Sequence, residues 1–172
     1  MPYRVLSAEF FARDCLQAAP ELTGKYLCRR LPDGTVLSLQ ILETEAYRGE
    51  EDTACHAHRG RTRRTEVLYG PPGVLYVYLC YGIHSLLNVI TGKEEEPQGV
   101  LIRSCRGAEG PGKLTKALKI DSSLNRLSLS DPSAPVWFED RGVPGTFTTA
   151  PRVGIGYASE ADRLLPWRFI LK

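Results

Sequence analysis

Short stretches in which apolar and polar residues alternate recur along the chain, and this period of two predicts β-strands. The stretch "GKYLCRRLPDGTVLSLQILETE" (24–45) predicts two strands joined by a turn at 32–34. The stretch "PPGVLYVYLCYGIHSLLNVI" (71–90) predicts a strand that reverses at Gly82 and returns over 86–90. Residues 100–105, the stretch "APVWFED" (134–140) and the end of the chain predict three more short strands.

Two segments carry helical signals instead. Residues 8–18 follow Ser7 as a cap and precede Pro20 as a stop, which predicts one helix. The stretch "GPGKLTKALKI" (110–120) predicts a second helix, which presents three lysines. Many short strands with few helices predict an α+β fold built on an antiparallel sheet. No linker or internal repeat divides the chain, so we expect one domain over 1–172.

One strand carries charge where a buried strand should be apolar. Leu37, Leu39 and Ile41 share one face, and strict alternation would place Glu43 and Glu45 on that same face. Carboxylates are rarely buried without a purpose, and loss of water around them raises their pKa values. The end of this strand is therefore the first candidate for a functional site.

Composition narrows the class of protein. Of 172 residues, 42% are hydrophobic and 24% charged, and the net charge is +2, as in an ordinary globular protein. Five scattered cysteines with no Cys-x-x-Cys pair argue against a disulfide framework and favour a reducing compartment. The N-terminus lacks a signal-peptide pattern, and the apolar stretch 74–90 is too short and polar to span a bilayer. We expect a cytoplasmic protein with no membrane association.

Several side chains that can carry chemistry lie between Glu43 and Arg103. Glu-x-Glu supplies one plausible general base. Cys55, His56 and His58 could bind a metal, but no second cluster at ligand spacing completes the site, so we expect no metal. No phosphate-binding glycine loop or Gly-x-Ser-x-Gly nucleophile motif is present.

A set of short motifs in a fixed order along the chain indicates a particular protein family. The chain contains "ETEAY", a histidine nine positions after that tyrosine, "GRT", "PGVLYVYLCYG", "LLNV", "VLIR", "GPGKLTKAL" and "RVGIGYA". In this order they resemble the alkyladenine, or 3-methyladenine, DNA glycosylase family of the mammalian type, which also occurs in bacteria. The similarity runs from "AEFFARD" to "WRFIL", and the short chain is similar to bacterial members.

The resemblance implies a fold and an activity. The fold would be a curved antiparallel β-sheet core flanked by helices, with a protruding β-hairpin. The activity would be that of a monofunctional DNA glycosylase, which flips alkylated or deaminated purines out of duplex DNA and hydrolyses the N-glycosidic bond with water, initiating base excision repair. Candidate substrates are 3-methyladenine, 7-methylguanine, hypoxanthine and ethenoadenine. The partner would be damaged double-stranded DNA, bound by a monomer without a cofactor or an obligate protein partner.

The resemblance also assigns catalytic roles. Glu45 would activate the attacking water, and Arg103 with the carbonyl of Val153 would help to hold it. Cleavage of the bond develops positive charge on the sugar, which a carboxylate stabilises. A purine alkylated at N3 or N7 is already cationic and departs as a neutral base. A neutral purine such as hypoxanthine needs a proton from an acid that the sequence does not identify.

The remaining assignments concern the base and the DNA. Tyr47, His56 and Tyr78 would form an aromatic pocket for the electron-poor base, and Asn88 would clash with the exocyclic amine of normal guanine. Tyr81, at the hairpin tip, would fill the vacated stack. Salt-sensitive, sequence-independent phosphate contacts are expected from four basic residues: Arg61, Arg63, Arg64 and Lys113.

Other readings remain open from the sequence alone. Glu45 could be a structural ion partner of Arg103, and Tyr81 could be a packing residue. A non-catalytic nucleic-acid-binding module with a similar sheet would use the basic loop and the tyrosines but not this ion pair. A hydrolase of free nucleosides would have no use for an exposed Tyr81 or an arginine-rich loop.

Overall fold

The computed structural model describes residues 2–172 and contains nine strands and four α-helices. The strands are β1 (Arg4–Val5), β2 (Tyr26–Arg30), β3 (Val36–Tyr47), β4 (Leu75–Cys80), β5 (His84–Thr91), β6 (Gln98–Cys105), β7 (Val136–Asp140), β8 (Phe147–Ala150) and β9 (Arg168–Leu171). The helices are α1 (Ala8–Phe11), α2 (Cys15–Leu22), α3 (Pro111–Ala117) and α4 (Glu160–Leu164). In the described part of the chain no helix is long and apolar enough to cross a membrane.

All nine strands belong to one antiparallel sheet, which confirms the predicted α+β class. The strand order is β1-β7-β2-β3-β6-β5-β4, and β9 pairs with both β3 and β8. The long strand β3 is central, because its first half pairs with β2 and its second half lies between β6 and β9. Residues 43–45 of β3 therefore have a paired strand on each side.

The main core lies between one face of this sheet and the helices. Leu75 and Val77 of β4 point into it with Ile102 of β6, and Leu22 of α2 and Leu114 of α3 cover them. The opposite face of β4 carries Tyr76 and Tyr78, as its alternation predicts. Two 3-10 helices, at 56–59 and 65–69, pack over that second face. The two faces of the sheet thus hold an apolar core and an aromatic cluster.

The predicted helix over 8–18 is wrong as a single element. The chain forms α1 and α2 with a break at 12–14, because an oxygen of the Asp14 side chain accepts the N–H of Leu16 at 2.9 Å and starts a new helix. Pro20, predicted as a stop, lies inside α2. The strand predicted at 134–140 forms as β7, and a second strand that was not predicted, β8, follows it at 147–150.

A β-bulge in β3 turns Glu45 to the face of the sheet opposite to the predicted one. The register of β3 against β6 shifts between Ile41 and Glu43 and again between Glu43 and Thr44. After the bulge, Thr44 donates to a carbonyl oxygen of α2 at 2.7 Å and Ala46 joins the main core. Glu45 therefore faces the opposite side of the sheet from Ile41, and the prediction that it continues the apolar row of β3 is wrong.

Candidate active site

Glu45 is a fully buried carboxylate near the end of β3. Its Oε1 forms an ion pair with Arg103 Nε on β6 at 3.0 Å and accepts the backbone N–H of Val153 at 3.4 Å. Its Oε2 accepts the hydroxyl of Tyr47, from the same strand, at 2.8 Å. Two strands and the segment after β8 therefore fix the carboxylate in position.

Different features of the surroundings of Glu45 have opposite effects on its pKa. Burial raises the pKa of Glu45, whereas the charge of Arg103, the hydroxyl of Tyr47 and the N–H of Val153 lower it, and the burial effect is the larger. A carboxylate with a raised pKa is a stronger base when it is ionised, and the cation and the two donors hold its ionised form in place. Such a group can take a proton from water.

An aromatic pocket lies next to Glu45 on the second face of the sheet. His56 and Tyr78 pack edge to face with centroids 4.7 Å apart, and Tyr76 lies 5.1 Å from Tyr78. A small cavity of about 40 Å³ is lined by Tyr47, Ala54, Cys55, His56, Leu68, Tyr76, Tyr78, Asn88, Gly99 and Tyr157. Its walls offer ring faces and few charges, which suits a flat aromatic ligand.

His56 is neutral at physiological pH. Burial and the charge of Arg64 lower its pKa to about 4. Its Nδ1 lies 2.8 Å from the hydroxyl of Tyr76, which fixes the ring beside the cavity. A neutral imidazole can pack against a base and form hydrogen bonds, but it cannot act as the acid that protonates a leaving group at pH 7.

A larger cleft adjoins the cavity. It has a volume of about 650 Å³ and shares Tyr47, His56, Tyr78 and Tyr157 with the cavity. Further along, its walls include Arg103 and residues of the β4–β5 hairpin tip and of the start of α3. A long substrate could therefore extend from the hairpin across the cleft while one flat group enters the aromatic pocket.

Comparison with known proteins gives this arrangement a family. A family model described as methylpurine-DNA glycosylase matches residues 9–109 and 106–172. The chain belongs to the methylpurine-DNA glycosylase family. It is 42% identical to proteins of Psychrobacter cryohalolentis and Nitrosococcus oceani and 41% identical to one of Methanocella arvoryzae, over 94%, 97% and 96% of its length and 89%, 90% and 91% of theirs. All three carry the provisional name 3-methyladenine DNA glycosylase.

The structure brings together the residues that the resemblance to this family singled out around the base and the carboxylate. Those that contact Glu45 are Arg103, Tyr47 and Val153, the last through its N–H rather than the carbonyl that was predicted to hold water. Asn88 lines the cavity and donates from Nδ2 to the carbonyl of Tyr76 at 3.2 Å. The roles of these residues stay predictions.

Tyr81 occupies the turn of the β4–β5 hairpin, as predicted. It is 92% exposed and has a φ of +52°, and Gly82 beside it has a φ of +65°. Two left-handed residues in succession make a tight reversal, which glycine accepts at little cost. An exposed aromatic ring on a tight turn is available for contact with another molecule, and its insertion into DNA stays a prediction.

The basic residues predicted to contact phosphate differ in their surroundings. Arg61 already pairs with Glu66 at 2.8 Å and Glu95 at 2.7 Å, which weighs against a phosphate role. Arg63 and Lys113 are exposed, and Lys113 lines the cleft. Arg64 lies over the ring of Tyr78, with its Cζ 5.2 Å from the centroid. The phosphate contacts of these residues stay predictions.

Sequence reasoning missed two features of this site. Tyr157 lines both the cavity and the cleft and donates its hydroxyl to the carbonyl of Ala54 at 2.7 Å. Arg152 forms a buried ion pair with Asp52 at 2.6 Å. Tyr157 lies within the "RVGIGYA" motif, which could have identified it, but nothing in the sequence pairs position 52 with position 152. Within residues 2–172, no three His, Cys, Asp or Glu side chains are grouped closely enough to hold a metal ion.

Proposed function

We propose that the protein is a monofunctional 3-methyladenine DNA glycosylase that starts base excision repair. A damaged purine would rotate out of the duplex into the aromatic pocket, and its sugar would lie over Glu45. One observation carries the proposal, namely a fully buried carboxylate that pairs with a cation and accepts a hydrogen bond from Tyr47, a residue of the aromatic cavity wall. The family and the provisional names of the relatives support the same activity.

The chemistry would use water as the nucleophile. As the bond between C1′ and the base nitrogen breaks, its electrons leave with the base, and positive charge builds on the sugar near Glu45. The water oxygen bonds to C1′, and Glu45 accepts the proton that the water loses. The products are the free base and an abasic site. Arg103 would keep Glu45 ionised and oriented until Glu45 accepts that proton.

The substrate range follows from the pocket. Aromatic faces attract cationic rings, which favours 3-methyladenine and 7-methylguanine. Neutral purines such as hypoxanthine and ethenoadenine belong to the proposed range as well. Asn88, buried in the cavity wall, would disfavour guanine because the guanine exocyclic amine would meet its side chain. The base 7-methylguanine carries the same amine, but its positive charge strengthens its attraction to the aromatic rings and lets it depart as a neutral base. We also propose that residues 1–172 act as one domain, as a monomer and without a cofactor.

Release of free base tests the activity directly. Duplex DNA carrying 7-methylguanine and the corresponding free nucleoside are incubated separately with the protein, and the liberated base is measured. We expect release from the duplex and not from the nucleoside. Binding to the duplex without any release would instead support a non-catalytic nucleic-acid-binding module. Equal release from the nucleoside would support a nucleoside hydrolase.

Tyr81→Ala should weaken the complex with damaged DNA more than the complex with undamaged DNA. Filling the vacated stack with an aromatic ring contributes about 1–3 kcal/mol, which corresponds to roughly 5- to 150-fold in affinity. Dissociation constants for lesion-bearing and undamaged duplexes measure the difference. Tyr3→Ala, which removes another exposed tyrosine next to an edge strand at the other end of the sheet, is the control. Equal losses on both duplexes would make Tyr81 a scaffold residue.

The excision rate should fall at acid pH because Glu45 must be ionised to act. Burial raises the pKa of Glu45 and Arg103 lowers it, so the rate falls as the pH drops through this raised value. Arg103→Gln removes the ion-pair partner, and we expect the acid limb of the single-turnover rate profile to move to higher pH. Arg106→Gln removes an exposed arginine nearby on the chain and should leave the limb in place. If the acid limb of the rate profile did not move in Arg103→Gln, the assignment of Glu45 as the ionised catalytic base would be contradicted.

A further inference from the structure

Arg64 lies against the wall of the base pocket rather than reaching away from it. Its guanidinium stacks over Tyr78, 5.2 Å from the ring centroid, and its side chain lines the cleft beside His56. The same residue lines a neighbouring groove that also reaches His56 and Tyr157. Its positive charge lowers the pKa values of His56 and of the hydroxyls of Tyr76 and Tyr78, although burial outweighs it in the two tyrosines.

The negative charge of Glu45 and the positive charge of Arg64 therefore occupy different positions in the site. Glu45 lies where the sugar would sit, and its charge is partly balanced by Arg103. Arg64 lies over Tyr78, a ring of the proposed base cavity, and lines the adjoining cleft. The proposed reaction moves one positive charge from the base to the sugar, whatever the charge of the base at the start. A cation on the base side and an anion on the sugar side both favour that movement.

We propose, on the basis of the function above, that Arg64 is a specificity-determining residue whose charge favours excision of neutral purines over cationic ones. A neutral purine has no positive charge that its departure could cancel, so negative charge builds on its ring as the bond to the sugar breaks. Arg64 attracts that charge only as the bond breaks. A cationic purine is repelled by Arg64 when it binds, and the repulsion disappears as the base becomes neutral.

Closure of the cleft by DNA would strengthen this effect. Arg64 is exposed in the free protein, so water screens its charge. A duplex lying over the cleft would displace that water and leave the guanidinium facing a low-dielectric pocket. The charge would then act mainly in the complex in which the bond breaks, where it alters the rate rather than the stability of the free protein.

The test compares Arg64→Gln with Arg63→Gln, its exposed neighbour on the same loop. Single-turnover rate constants and half-saturating enzyme concentrations are measured on duplexes carrying hypoxanthine or 7-methylguanine. For Arg64→Gln we expect excision efficiency on hypoxanthine to fall about tenfold. On 7-methylguanine the rate constant should fall while binding tightens, so the efficiency stays the same or rises. Arg63→Gln should change both lesions alike, through binding and in a salt-dependent way.

The possible results distinguish the proposed role of Arg64 from a phosphate contact and from a failure of the glycosylase function itself. Equal losses on both lesions in Arg64→Gln, carried by weaker binding, would make Arg64 a phosphate contact and overturn the proposal. A wild-type protein that releases 7-methylguanine but no hypoxanthine would overturn it too, while leaving the glycosylase function intact. A wild-type protein that releases neither base would instead contradict the function itself. A fall in the hypoxanthine-to-7-methylguanine efficiency ratio confined to Arg64→Gln would support it.

Discussion

Glu45→Gln should lower the single-turnover rate of base excision by at least about 10³-fold, since it removes both the base and the stabilising charge. The amide has nearly the same shape as the carboxylate and can still accept the hydroxyl of Tyr47, so the fold should survive. Affinity for lesion-bearing DNA should not fall, because the variant loses a negative charge that faces an anionic substrate. Excision of 7-methylguanine from a duplex and binding to the same duplex measure the two effects separately.

Glu43→Gln is the matched control. Glu43 lies on the same strand, is half-buried and pairs with Arg168 at 3.1 Å, so it differs from Glu45 in position but not in kind. We expect its rate to stay within a few-fold of the wild-type rate. A rate for Glu45→Gln within tenfold of the wild-type rate, or an equal loss in Glu43→Gln, would mean that Glu45 is not the catalytic base.

Much of the fold could be predicted because it depends on local periodicity. In β4 the alternation of side chains alone separates the core residues Leu75 and Val77 from the aromatic residues Tyr76 and Tyr78. The hairpin turn follows equally from Gly82, which adopts a left-handed conformation at low cost. Features of this kind need only neighbours along the chain.

The errors arose where a distant contact overrides the local pattern. Strict alternation along β3 placed Glu45 in the core, but pairing with β6 creates a bulge that turns the carboxylate to the other face. The helix over 8–18 divides because Asp14 caps a new helix, a competition that the apolar pattern does not reveal. The bulge serves the site, because without it Glu45 would lie under α2.

The charged residues of the site also divide into those that the sequence could identify and those whose contacts depend on the fold. Types and order of residues indicated Glu45, Arg103 and His56 through the family resemblance. The number of basic residues in the sequence, however, does not show which arginines form ion pairs or lie over an aromatic ring in the folded protein. Arg61 pairs with Glu66 and Glu95, and Arg64 lies over Tyr78. The contacts with Glu95 and Tyr78 form only when residues 61–64 pack against distant parts of the chain.

Arg152→Met should destabilise the protein by about 3–5 kcal/mol, because it leaves Asp52 buried without its partner. Arg152 is nearly inaccessible to solvent and binds both carboxylate oxygens of Asp52, at 2.6 and 2.9 Å. It also donates to the carbonyl of Ala46 at 3.0 Å, between Glu45 and Tyr47 on β3. The free energy of unfolding in urea measures the loss, and the melting temperature should drop by roughly 10 °C.

Two further variants separate the buried charge from the packing of the side chain. Arg48→Met removes an arginine that pairs with Asp14 at the surface, and it should cost about 1 kcal/mol or less. The double variant Asp52→Asn with Arg152→Met no longer contains the uncompensated carboxylate, so it should recover part of the loss. If the double variant were as unstable as Arg152→Met, packing against Tyr47 and Trp167 would be the main contribution of Arg152. Because Val153 follows Arg152 directly and contacts Glu45, either contribution would position the donor that the carboxylate needs.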